Sequence, residues 1–134
     1  MHTVIGFMVS IWKMPWYWRI WIGLLMLVNG IAPLLYLDTI ESKVVLTVFV
    51  IAALTQVIIF HYKGFVRLLG IGHIYWIPLI GWVLIRLIEE PFIEAVQIWM
   101  GSLIVLNTTS LIIDLADVIR YWRGEKSATI TVPR

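Results

Sequence analysis

The chain reads as four long apolar runs separated by short polar punctuation. The runs cover about 18–37, 44–62, 66–85 and 91–113, and Asp38–Lys43, Lys63–Phe65 and Arg86–Glu90 stand between them. A helix rising 1.5 Å per residue needs roughly 20 residues to cross a hydrocarbon layer of about 30 Å, and each run meets that length. In lipid even the Val-, Ile- and Thr-rich second run stays helical, because every backbone polar group needs an internal partner. The pattern predicts an all-α membrane protein. It is a four-transmembrane-helix bundle forming one domain over residues 1–124, with a short polar tail over 125–134 that is expected to be mobile.

The ends of the runs carry their own signals. The fourth helix is expected to place Pro91 in its first turn, behind Glu89 and Glu90, and to stop at Gly124 after Arg120 and Arg123. It then extends to about residue 123, beyond the apolar layer. In the first run Pro33 removes an amide donor and crowds the carbonyl of Asn29, which predicts a kink there. The Asn29 side chain is expected to satisfy a freed backbone group.

Ahead of the first run, residues 3–14 read as a short N-terminal interfacial segment, helical and ending before Pro15. Trp12, Trp16, Tyr17, Trp18 and Trp21 crowd around Lys13 and Arg19, a headgroup-level combination. The apolar residues of the segment do not keep to one face, so packing against the bundle is the alternative. Thr3–Trp12 is too short to span, and it has neither a basic lead nor a small-residue cleavage site.

Composition sharpens the class. Hydrophobic residues make up 61% of the chain and its mean hydropathy is +0.95, against about 45–50% apolar in soluble domains. The absence of cysteine excludes disulfides, thiolate zinc sites, iron–sulfur ligation and covalent haem. A net charge of +2 does not signal nucleic acid, because the basic residues bracket the apolar runs and form no patch. Eight of the ten Lys and Arg flank the ends of the runs on the side of the two termini. By the positive-inside rule both termini are cytoplasmic. Compact connectors suit a bacterial inner membrane.

Candidate chemistry is confined to a few intramembrane polar residues. His73 lies six residues past Arg67, about 9 Å in, Gln56 a similar distance before Lys63, and Asp114 before Arg120. At 100° per residue Gly70, His73, Ile77, Gly81 and Leu84 form one stripe, whose glycines predict close helix approach. Pro78 is expected to free the carbonyl of Ile74 beside it. On the fourth helix Asn107, Ser110, Asp114 and Asp117 share a face, while Glu94, Gln97, Gly101 and Thr108 lie on another. The candidate site is His73 and Asp114, tuned by Gln56 and Asn107. It either relays a proton or holds a polar headgroup, since histidine changes charge near neutrality, or it is a hydrogen-bonded clasp that fixes helix register. Asp114 and Asp117 have a further ordinary reading as partners of Arg67, Arg120 or Arg123.

At the other end Arg86, Glu89, Glu90 and Glu94 form an acidic cluster. An i, i+4 salt bridge between Arg86 and Glu90 is the ordinary reading, and a cation-attracting vestibule the sharper one. His61 and His73 differ in height by about 6 Å, which argues against a shared haem or metal. No metal and no cofactor are expected, and no nucleophile–base constellation marks an enzyme. The expected partners are the lipid bilayer and a membrane protein or a second copy. The reading is an accessory or scaffolding subunit of a membrane assembly, with a proton-coupled small transporter or channel as the alternative.

Overall fold

The computed structural model describes residues 2–130. These are all-helical, with four helices long and apolar enough to cross a membrane. Helix α1 covers His2–Trp12, and α2 covers Trp16–Met26 and continues without a break to Tyr36. Helix α3 covers Ile40–Lys63, α4 covers Trp76–Glu89 behind a 3₁₀ segment Arg67–His73, and α5 covers Glu94–Trp122. The candidate spans are Trp16–Tyr36, Ile40–Lys63, Arg67–Glu89 and Glu94–Trp122.

Segment α1 is helical as expected, and it is docked against α3. Phe7 meets Phe60 edge-on at 5.7 Å between ring centroids, and Thr3 Oγ1 lies 2.9 Å from His61 Nδ1. Gly6, Phe7 and Ser10 are buried. Packing against the bundle is thus the arrangement on its buried face, while Val4, Ile5, Met8 and Val9 remain exposed.

Where the kink is expected in the first span, the helical register changes. Leu27–Ile31 is a π-helical turn, and Ala32–Tyr36 is 3₁₀. The Ala32 N–H reaches back five residues to the Leu27 carbonyl. In that register the next donor is the one Pro33 lacks, so the bare carbonyl belongs to Val28 rather than to Asn29. Trp99 of α5 fills the gap, its indole N–H donating to Val28 O at 2.8 Å. The Asn29 side chain also meets the backbone, its Nδ2 donating to Leu25 O at 2.9 Å.

Helix ends follow local chemistry. Thr39 caps α3, its hydroxyl accepting the Ser42 N–H at 3.2 Å. Gly64 at φ 81° ends it, donating to Phe60 O at 2.8 Å. Gly124 at φ 117° stops α5, as its position predicts. Pro91, in contrast, lies outside α5, which begins at Glu94 behind an extended Ile93. The extended backbone from Glu90 onward delays the helix by three residues relative to the expectation.

The tail is not free over its described part. Thr129 N donates to Phe65 O at 2.8 Å, and Ile130 pairs with Phe65 in an isolated antiparallel bridge. Glu125 binds Arg67 and Arg120. The expected mobility fails here because the Gly124 turn points the chain back at the Gly64–Arg67 loop. The remaining tail, 131–134, lies outside the described residues, including the Arg134 counted in the charge bias.

The third span departs most from an ideal helix. Its first seven residues wind as 3₁₀, at about 120° and 2 Å per residue. His73 therefore sits about 12 Å beyond Arg67 rather than about 9 Å. The stripe through Gly70 and His73 does not continue into α4: Ile77 and Leu84 are exposed, and a Cβ on Gly81 would meet nothing within 4 Å. The close approaches fall on Gly70 and Gly72. A Cβ on Gly70 would lie 3.0 Å from Asp114 Cβ, and one on Gly72 would overlap Gln56 Cγ and press on the Ala52 carbonyl at 3.3 Å. Nor is the Ile74 carbonyl free, since Ile77 N donates to it at 3.2 Å.

Two apolar clusters result. Leu25, Val28, Val45, Trp76, Trp99 and Leu103 belong to the larger, and Phe7, Phe60, Phe65 and Leu69 form the smaller. Gly72→Ala is expected to destabilise the bundle by about 1–3 kcal/mol through overpacking. Gly81→Ala should leave it unchanged or raise its stability by up to about 1 kcal/mol. Unfolding of both variants in detergent measures the difference.

Candidate functional site

Gln56, His73 and Asp114 meet between the two apolar clusters. On α3 Gln56 lies between Val48 and Phe60, and on the third span His73 lies between Leu69 and Trp76. His73 Nδ1 is 2.7 Å from Asp114 Oδ2. His73 Nε2 is 3.1 Å from Gln56 Nε2, and the same amide nitrogen donates to Leu69 O at 3.3 Å. The imidazole stacks on Trp76 with centroids 4.0 Å apart and planes 5° from parallel. Gly70 admits Asp114 and Gly72 admits Gln56, so the backbone itself forms two walls of the site.

The network assigns the protons. The Leu69 carbonyl can only accept, so the Gln56 amide turns its NH₂ toward it. The second hydrogen of that NH₂ then points at His73 Nε2, which must hold a lone pair. Nδ1 carries the proton and donates to Asp114. The ring is thus hydrogen-bonded on both nitrogens, to Asp114 on one side and to Gln56 on the other.

Asn107 does not join this site. It is fully buried and pairs reciprocally with Asn29, Nδ2 to Oδ1 in each direction, at 2.8 and 2.9 Å. The pair lies about two turns of α5 from Asp114, and Asn29 also donates to Leu25 O. Asp117, on the same face of α5, binds Arg67 at 2.7 Å, which anchors the start of the 3₁₀ segment.

At the opposite end Arg86 binds Glu41 at 2.6 Å and Glu90 at 3.5 Å, with Trp82 beneath its guanidinium at 5.9 Å. Glu41 is buried and is the residue sequence reasoning missed. Its signal was its place in the first turn of α3, where an acid suits the helix dipole. Glu94 is exposed and has no ion-pair partner among the described residues.

No match to this chain is found among known family models, curated proteins or solved structures.

No group of three or more His, Asp or Glu able to hold a metal occurs among the described residues. The His61 side chain is engaged by Thr3 at 2.9 Å. What the central site can do chemically is pass a hydrogen-bond polarisation from Gln56 through His73 to Asp114, or hold three helices in one register.

A single His73→Phe or Asp114→Leu change strands a half-buried polar partner and is expected to cost about 1–2 kcal/mol. The double variant, which leaves neither group stranded, should recover part of that loss. Unfolding of all three in detergent gives the coupling between them.

Proposed function

We propose that this chain is a multi-pass bacterial inner-membrane protein with both termini cytoplasmic. It acts without catalysis, as an accessory or scaffolding subunit of a larger membrane assembly. The observation that carries the reading is the distribution of polar groups on α5. Its inward polar side chains are spent inside the bundle, Asn107 on Asn29 and Asp114 on His73. Its other polar row, Glu94, Gln97 and Thr108, is exposed, and a Cβ on Gly101 within that row would meet nothing within 4 Å. A small, polar helix face is poorly suited to lipid tails and well suited to another transmembrane helix.

The lack of cysteine makes the test direct. Thr108→Cys carrying a short photo-crosslinker in native membranes should yield a discrete adduct with a membrane protein. Leu54→Cys, on the exposed apolar face of α3, should not. An adduct at twice the chain mass identifies a second copy as the partner. Identical, adduct-free behaviour at the two positions overturns the reading.

A second reading, a proton-coupled small transporter or channel, draws support from the unbroken chain Leu69 O, Gln56, His73, Asp114. It requires that Asp114→Asn and His73→Gln each abolish a proton-dependent flux in proteoliposomes. Undiminished flux in either variant removes it.

A further inference from the structure

The two ends of the bundle differ sharply in charge. Among the described residues the end of the termini holds seven basic residues against three acidic ones, and the opposite end two basic against five acidic. At the terminal end all three carboxylates are engaged: Asp114 by His73, Asp117 by Arg67, and Glu125 by Arg67 and Arg120. Lys13, Arg19, Lys63, Arg123 and Lys126 have no carboxylate partner among the described residues.

Two of these cations lie at one structural feature, the turn joining α1 to α2. Lys13 stands in that turn, exposed. Arg19, one helical turn into α2, folds back so that its guanidinium lies over the Trp12 ring at 5.1 Å. Its Nε is enclosed yet has no acceptor within the chain. A guanidinium laid on an indole is held in place without being neutralised. Around the pair the large aromatics face outward: Trp12 is 75% exposed, Trp16 66% and Tyr17 53%.

We infer that the α1–α2 turn is a binding site for an anionic phospholipid. Lys13 and Arg19 hold the phosphate of a lipid whose headgroup carries no compensating cation, and Trp12, Trp16 and Tyr17 lie along the glycerol and upper acyl region. The shared chemistry is a phosphate monoanion. The outward aromatic ring points to the lipid-borne form, because free phosphate makes no use of exposed indoles. The inference rests on the membrane reading above and not on the scaffolding role.

The experiment uses the full chain in nanodiscs of equimolar phosphatidylglycerol and phosphatidylcholine, with the lipids retained after detergent release counted by native mass spectrometry. Each basic residue near an anionic headgroup contributes about fivefold in affinity. The wild type should therefore retain phosphatidylglycerol over phosphatidylcholine, and Lys13→Gln with Arg19→Gln should reduce that preference by about 10- to 30-fold. Lys43→Gln, at the opposite end, should not change it, and Arg19→Lys should keep most of it. Circular dichroism confirms that the variants are folded.

Equal retention of the two lipids, or an undiminished preference in the double variant, overturns the inference while leaving the membrane reading intact. Displacement of phosphatidylglycerol by millimolar glycerol 3-phosphate or inorganic phosphate makes the turn a free-anion site and overturns the lipid assignment. Failure of the folded wild type to enter the bilayer overturns both readings.

Discussion

His73 is held from both sides, and most of the architecture around it follows from that. In an apolar medium a polar side chain or backbone group without a partner costs far more than a well-made hydrogen bond returns. The imidazole meets this demand with Asp114 on one nitrogen and Gln56 on the other. These three residues come from three helices, so satisfying one ring fixes the relative height and rotation of α3, α5 and the 3₁₀ segment. The glycines at 70 and 72 are what allow the three backbones to come that close.

The same demand explains the distortions. A π-turn and a 3₁₀ stretch surround Pro33, and a second 3₁₀ stretch precedes Pro78. Side chains reach the backbone at these irregularities. The Val28 carbonyl takes the Trp99 indole and the Leu25 carbonyl takes the Asn29 amide. Distorted backbone is tolerated in such a setting only where neighbouring helices re-satisfy it. The Arg67–His73 segment accordingly has no exposed residue, while the Leu27–Tyr36 segment buries Val28, Asn29 and Pro33 and exposes Leu27, Ile31, Leu34 and Leu35.

Polar residues thus divide into two populations. One is internal and closed: the two asparagines, the His73 network and the Arg86–Glu41 pair. The other is external and open: the outward row of α5, and the cations beside exposed aromatics at the α1–α2 turn. The closed set accounts for a single arrangement of helices. The open set lies on the outer surface of that arrangement.

The four helices were legible in the chain because length and hydropathy are properties of each segment alone, and a span needs no neighbour to be recognised. Residues that punctuate locally were legible too, such as Gly124, as was the shared level of Gln56, His73 and Asp114. What the linear pattern could not supply was register. A stripe drawn at 100° per residue assumes an ideal α-helix, and seven residues of 3₁₀ were enough to transfer the close contact from Gly81 to Gly72. The π-turn likewise moved the bare carbonyl from Asn29 to Val28, and Asn107 pairs with Asn29 rather than with the candidate site. Glu41 and the folded-back tail depend on partners 45 and 64 positions away. Those pairings are set by where the packed helices place their ends, which only the tertiary structure decides.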